Sequence, residues 1–368
     1  MNINQYMPVR VISGKNALEK AAGEIAVLGA RCLIVTGGSA AQKSGALADT
    51  VALLTSLHIS YAIFDQIGQN PLTAVCCAAG AAARAMQADF LIGIGGGSPL
   101  DATKAAALYA SNPEISDNEI YARRGQMRPP IPYVLIGTTA GTGSEVTGVS
   151  VLTNTENGRK KSISGALCYA RLAICDPKYT ESAPYGVTVS TALDAFAHAA
   201  ESYLSTASNR LSEGYALQAL PMVWNGLKFI YETKKTPDAA LREQLYYGSI
   251  FAGLAINITG TLFPHTVGYL LTEQRGIPHG RACTAFAPAL FDIYERRASD
   301  KLQTLLRRLD TEKETLLAVI DALTDVHVSF TPEELSAEQA RFTGKINNFL
   351  RTPGGFTAAD ALAALAAL

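Results

Sequence analysis

In the first half of the chain, short apolar runs alternate with longer stretches whose apolar positions recur every three or four residues. RCLIVT (31–36), YAIFD (61–65), DFLIGIG (89–95) and YVLIGTT (133–139) read as strands. Between them, GALADTVALLTSLH (45–58), LTAVCCAAGAAARAMQA (72–88) and PLDATKAAALYA (99–110) carry the helical period. Parallel neighbours cannot be joined by tight hairpins and need crossover helices, so this order predicts an open parallel sheet covered on both faces. A β-rich patch follows, VSVLTN (149–154), KSISG (161–165) and LAICDP (172–177), with Pro177 stopping the last run. Beyond Pro184 strand signals almost vanish. TVSTALDAFAHAAESYLS, LSEGYALQALPMVWNGLKFIYE, AALREQLYYGSIFAGLAINI, KLQTLLRRL, KETLLAVIDAL and TAADALAALAAL all read as helices. The pattern therefore predicts an α/β plus all-α fold, with a parallel-sheet domain over residues 1–185 and a helical domain over residues 186–368.

Composition narrows the function. At 368 residues the chain exceeds the roughly 250–300 at which one core stops growing, which fits two domains. No apolar run approaches the about 20 residues that span a bilayer, so no membrane partner is expected. The 31 basic and 32 acidic residues are spread along the chain, without the basic concentration that recruits nucleic acid. The expected partner is a small molecule. The first residues carry no export pattern, and the six cysteines show no CxxC pair or regular spacing. Both features predict reduced core thiols in a cytoplasmic protein.

Two glycine-rich segments carry candidate chemistry. In ADFLIGIGGGSPLDATKA, Gly93, Gly95, Gly96 and Gly97 end a strand and Ser98 and Pro99 open a helix. Glycines there let the backbone approach a phosphate, and the helix amino end favours the anion. An ordinary tight turn would use the same residues, and the spacing is not GxGxxG. The second segment, IGTTAGTGSEVT (136–147), again follows an apolar strand and offers the hydroxyls of Thr138, Thr139, Thr142 and Ser144. Two such loops at the carboxyl ends of parallel strands favour a phosphate-bearing cofactor over plain turns. The first strand ends in Gly37, Gly38 and Ser39, with no carboxylate where an NAD-selective site usually places one, so the site admits NADP(H) as well as NAD(H).

Histidine is scarce, with five in the chain. Asp194 and His198 stand four apart within one helical pattern and project from the same face. Alone, such a pair also fits a hydrogen-bonded core feature. His265 and His279 lie fourteen residues apart in HTVGYLLTEQRGIPHG and, added to the pair, make one carboxylate and three imidazoles, a donor set suited to Fe(II) or Zn(II). His58 and His327 sit in plain loop or helix-end contexts.

GGGSPLDATKA, TTAGTGSEVT, ICDPKYTESAP, DAFAHAAESYLS and HTVGYLLTEQRGIPHGRA, in this order and spacing, resemble the iron-containing (group III) alcohol dehydrogenases. The sequence looks most similar to their 1,3-propanediol-dehydrogenase-like branch. The resemblance implies an amino-terminal dinucleotide-binding domain, a carboxyl-terminal helical metal-binding domain, and a metal bound by Asp194, His198, His265 and His279. It places cofactor contacts on Gly95, Gly96, Gly97, Ser98, Asp101 and Lys104, on Thr138, Thr139 and Thr142, on Asn70 of the Asn70-Pro71-Leu72 turn, and on Lys160, with Lys161 adjacent. Gly37 and Ser39 complete the expected set. Many relatives have a second histidine four residues after the third ligand, where this chain has Tyr269, a candidate for hydrogen bonding or proton relay; the branch tends to share that tyrosine. Relatives that select NAD often have aspartate at the Gly37 position, so the resemblance leans towards NADP(H). It is also compatible with a homodimer.

The expected activity is hydride transfer between NAD(P)(H) and a short-chain alcohol, diol or aldehyde, with the metal acting on the substrate oxygen. Two rivals stand beside it. A dehydroquinate-synthase-like metal lyase would need basic residues for an acidic substrate, and the helix from Asp194 to Leu204 supplies none. A catalytically silent binding or scaffold relative would not be expected to keep all four metal donors.

Overall fold

The computed structural model describes residue 3, residues 5–122 and residues 126–368. The chain forms two compact units, one from residues 5–139 and 143–183, the other chiefly from residues 140–142 and 184–368.

The first unit is built on a six-stranded sheet. Its strands are β1 (Arg10–Ser13), β2 (Arg31–Val35), β3 (Ser60–Phe64), β4 (Phe90–Gly95), β5 (Tyr133–Gly137) and β8 (Leu172–Cys175), in spatial order β1-β8-β5-β4-β2-β3. Every pairing is parallel. Helices Ala46–Ser56, Thr73–Ala85 and Gly97–Ser111 fall where the apolar period places them. Ile34, Ile92, Val134, Ile136 and Ile174 are wholly buried and form the core of one sheet face with Leu54 and Phe90. β3 is an edge strand with Tyr61 and Ile63 exposed, so coverage of the sheet is incomplete there.

Two departures from the sequence pattern have plain causes. β1 has only four residues, mostly exposed, which leaves no buried run to read. β6 (Val149–Thr153) and β7 (Lys160–Ser164) form a separate antiparallel pair, because the short connection between them permits a hairpin but no crossover. Of the β-rich patch, only LAICDP joins the main sheet.

The register aligns Gly95 of β4 with Gly137 of β5, so the two glycine-rich loops leave adjacent strands at the same end. Thr138 N donates to Gly95 O at 2.9 Å and ties the loops together at their roots.

The second unit is helical. Tyr185–Leu204 is its most enclosed helix, buried at nearly every position from Thr188 to Leu204. Arg210–Thr233 packs beside it, opened by a capping box at Asn209 and Ser212 and continuing through Pro221. Ala239–Thr259 ends at Gly260, whose φ of +66° is reached readily by glycine. Phe263–Arg275 and the short helix His279–Thr284 follow. The last of these lies very close to the Tyr185–Leu204 helix: a Cβ on Gly280 would stand 1.8 Å from Ser190 O. Among the described residues, no single helix is long and apolar enough to cross a membrane.

Candidate metal centre and cofactor loops

Asp194 and His198 sit one turn apart on the Tyr185–Leu204 helix, and the close approach at Gly280 brings His279 to the same place. His265 enters from the first turn of Phe263–Arg275. Nε2 of His198, His265 and His279 stand 3.6, 3.5 and 3.8 Å from a single atom, Asp194 Oδ1. The rings of His198 and His265 stack with centroids 4.6 Å apart. Asp194, His198 and His265 are buried, whereas the side chain of His279 is 26% exposed and forms the open edge.

These donors fit a cation. Asp194 Oδ1 and His265 Nε2 are buried without a hydrogen-bond partner, a costly arrangement for a protein to keep unless something else satisfies them. Burial alone would raise the Asp194 pKa, but the adjacent His198, His279 and His265 outweigh it and hold the carboxyl well below the usual range. Burial lowers His198, which favours the neutral imidazole that a metal needs. Burial also opposes charge on His265; the neighbouring Cys283 and Glu201 lead the groups that reverse this, and its pKa lies well above the ordinary value.

In the α/β unit the structure gathers three of the expected cofactor residues. Asn70 has φ +53°, its N–H donates to Ser98 Oγ at 3.2 Å, and its Oδ1 accepts from Lys160 Nζ at 3.0 Å. The adjacent Lys161 lies instead over the Tyr121 ring at 5.0 Å, which separates the two lysines. Gly96 caps the helix that begins at Gly97, and a Cβ on Gly96 would come within 3.1 Å of the Thr139 side chain. Gly95 takes φ +154°, with Pro99 2.5 Å from any added Cβ. Thr138 is buried, its hydroxyl without a hydrogen-bond partner.

Both Asp101 oxygens are engaged inside the unit, accepting from Ser144 Oγ at 2.6 Å and Val151 N at 2.8 Å. The buried Lys104 ammonium donates to the carbonyls of Thr147 and Val149. Gly37 is buried, and a Cβ there would meet Ile67 O at 1.7 Å; Ser39, two residues on, is exposed. Thr142 belongs to the segment 140–142 that clusters with the helical unit, where a Cβ on Gly141 would stand 2.6 Å from Thr191 Cβ.

Two family models match the chain. The model for iron-containing alcohol dehydrogenase covers residues 8–177, and that for the carboxyl-terminal region of the Fe-containing alcohol dehydrogenase family covers residues 188–337. The chain belongs to the iron-containing alcohol dehydrogenase family. The sulfoacetaldehyde reductase of Bilophila wadsworthia is 34% identical, over 77% of this chain and 72% of that protein. The 1,3-propanediol dehydrogenase of Klebsiella pneumoniae is 30% identical, over 86% of each. The crystal structure of an iron-containing alcohol dehydrogenase from Thermotoga maritima superposes with a TM-score of 0.89 at 34% identity, covering 98% of each chain. That of a sulfoacetaldehyde reductase from Bifidobacterium kashiwanohense in complex with NAD+ gives 0.84 at 25% identity, over 99% of this chain and 97% of that one.

As an iron-containing alcohol dehydrogenase the protein is an NAD(P)-binding oxidoreductase acting between alcohols and aldehydes. In this member the surroundings of the donors include two residues that were not singled out in the sequence. Glu201, wholly buried, accepts from His265 Nδ1 at 2.7 Å and from Leu262 N at 2.6 Å. It thereby fixes which ring nitrogen of His265 faces Asp194. Its spacing of three after His198 was the available signal. Cys283 is a free, buried thiol, as expected; its Sγ lies 3.7 Å from Nδ1 and 3.8 Å from Nε2 of His279, and it joins Asp194, His265 and His279 in a group whose donor atoms all lie within 4.8 Å of one another. Tyr269 has its ring 5.6 Å from that of His279.

Proposed function

We propose that the helical unit, taken as residues 186–368, holds a catalytic Fe(II), with Zn(II) as the alternative ion, on Asp194, His198, His265 and His279. The α/β unit, residues 1–185, binds the dinucleotide. The observation that carries the reading is the convergence of three imidazole nitrogens within 3.5 to 3.8 Å of one buried carboxylate oxygen. The bound ion would supply a Lewis acid towards an alcohol or aldehyde oxygen, and the nicotinamide the hydride acceptor or donor. The chain's own part is orientation: Glu201 fixes His265, and Gly280 keeps His279 against Asp194.

Asn70, Ser98 and Lys160 are read as one cluster on the dinucleotide, with Gly95, Gly96 and Gly97 giving its phosphates access to the helix amino end. Thr138, Thr139 and Thr142 contribute from the second loop, and Gly37 and Ser39 from the end of β2. Asp101 supports these loops from within. NADP(H) is the preferred cofactor in this reading, with NAD(H) as the alternative: position 37 has no room for an acidic side chain that would repel a 2'-phosphate. Tyr269 is read as a hydrogen-bonding group beside His279, supported by its ring contact.

The substrate class is a short-chain alcohol, diol or aldehyde, supported by relatives named for sulfoacetaldehyde and 1,3-propanediol. A homodimer and a cytoplasmic location complete the reading; the first rests on the resemblance, the second on the spacing of six free cysteines. Absorbance at 340 nm with a panel of short aldehydes and each reduced cofactor tests it. NADPH oxidation that depends on both metal and aldehyde, with a lower KM than for NADH, is the expected result. No turnover by the metal-loaded protein on any substrate would refute the reading.

A further inference from the structure

We infer that the carboxyl-terminal segment positions His265 for the metal through two residues, Asn348 and Phe356, which hold the turn before His265 against Glu201. The inference rests on the metal-centre reading above. The helix that carries His265, Phe263–Arg275, has no side-chain cap of its own. It begins after Leu262, whose apolar side chain cannot accept from the first-turn amides, so its placement depends on neighbouring segments.

Those segments meet at Leu262 and Phe263. The buried Glu201 carboxylate accepts from Leu262 N at 2.6 Å and from His265 Nδ1 at 2.7 Å. The carbonyl of the same Leu262 accepts from Asn348 Nδ2 at 3.2 Å, and that amide also donates to Thr261 Oγ1 at 2.9 Å. Phe356 stacks on Phe263, two residues before His265, with ring centroids 4.0 Å apart and planes 12° apart. Phe263 is wholly buried, and Phe349 packs edge-on against Phe356 at 5.1 Å.

The segment is itself tied to the other donors. Thr206 N, just past the helix that carries Asp194, His198 and Glu201, donates to Arg351 O at 2.9 Å. Residues 348–356 therefore bridge that helix and the turn that delivers His265. A metal tolerates donor displacements of about 0.2 Å, so a turn that loses one of these supports and tilts by more than that weakens the site. The carboxyl-terminal region also bonds the far end of the His265 helix, where Arg341 Nη1 meets Glu273 Oε2 at 2.6 Å. That pair lies about 12 Å along the axis from His265, and its loss should lower stability without moving the ligand.

Equilibrium dialysis of Zn(II) against metal-stripped full-length protein tests this, with visible spectra of the Co(II)-loaded forms. Asn348→Ala and Phe356→Ala are each expected to bind Zn(II) about three- to tenfold more weakly, less than the about ten- to hundredfold lost with a group that bonds a ligand directly, and to shift the Co(II) bands. Arg341→Ala is expected to melt at a lower temperature yet bind Zn(II) as tightly as the unsubstituted protein. Unchanged affinity in either folded variant, or an equal weakening in Arg341→Ala, would overturn the inference and leave the metal centre standing. Failure of the unsubstituted protein to bind Zn(II) would overturn both. Should either alanine variant fail to fold, Asn348→Ser and Phe356→Leu carry the same comparison.

Discussion

Gly280→Ala perturbs the proposed centre without touching a donor atom. The added Cβ would stand 1.8 Å from Ser190 O and 2.9 Å from Asp194 N, against an ordinary contact beginning at 3.4 Å. The first contact is short by 3.4 − 1.8 = 1.6 Å, and its partner is backbone of a buried helix, which cannot swing aside as a side chain does. The helix carrying His279 must therefore move away from the helix carrying Asp194 and His198. Metal–donor distances tolerate about ±0.2 Å, so even half of that displacement is several times too large. Overpacking of this kind costs about 1–3 kcal/mol, partly offset by the better helix propensity of alanine, about 1 kcal/mol, so the fold is expected to survive. Metal per chain, measured after equilibrium dialysis at a series of free Fe(II) or Zn(II) concentrations, should show affinity reduced by at least about ten- to a hundredfold. Circular dichroism should remain that of the unsubstituted protein. Unchanged affinity and turnover in a folded Gly280→Ala protein would refute the reasoning that this contact sets the position of His279.

Glu201→Ala leaves two buried donors, His265 Nδ1 and Leu262 N, without their acceptor; a loss of about 1–3 kcal/mol for each and about ten- to a hundredfold weaker metal binding are expected, with Glu201→Gln milder, read by thermal melting and dialysis. Lys160→Ala removes the ammonium that bonds Asn70 Oδ1 and should raise the KM for the nicotinamide cofactor by about tenfold, about 1.4 kcal/mol, while metal content stays at the unsubstituted level. Burial opposes charge on Glu213, but the Lys301 ammonium at 2.7 Å and Ser208 hold its pKa below the ordinary 4.5. A depressed carboxylate stabilises the fold above its unfolded pKa and loses that contribution as pH falls through the folded value. The melting temperature of Glu213→Gln should therefore lie below that of the unsubstituted protein at pH 7 and converge with it once pH falls below the depressed folded pKa.

Much of the fold was legible because burial and periodicity coincide. The runs at 31–36, 89–95 and 133–139 have apolar centres that are buried as interior strands, and Tyr185–Leu204 is an apolar-rich helix buried at nearly every position from Thr188. β1 was not legible, since a four-residue strand with exposed side chains leaves no hydrophobic signature. The hairpin of β6 and β7 was seen as β-rich, but its separation from the main sheet depends on strand pairing, which short runs do not encode. At the site, scarcity and helical spacing made the histidines conspicuous; Glu201 belongs to a common residue type, and Cys283 lies in no CxxC pair although cysteine, with six residues, is nearly as scarce as histidine, with five. Asp101 carries a further feature that the motif does not encode: its carboxylate accepts from Ser144 and Val151 within the unit. Only tertiary packing decides where such a side chain points.

The most direct test of the account strips the purified protein of metal without oxygen, titrates Fe(II) back, and follows aldehyde-dependent NADPH oxidation at 340 nm beside bound metal. The account predicts turnover that is absent without metal, rises in proportion to bound ion, saturates at one ion per chain, and is abolished together with metal retention in His265→Ala. Full turnover by the metal-free protein would contradict it.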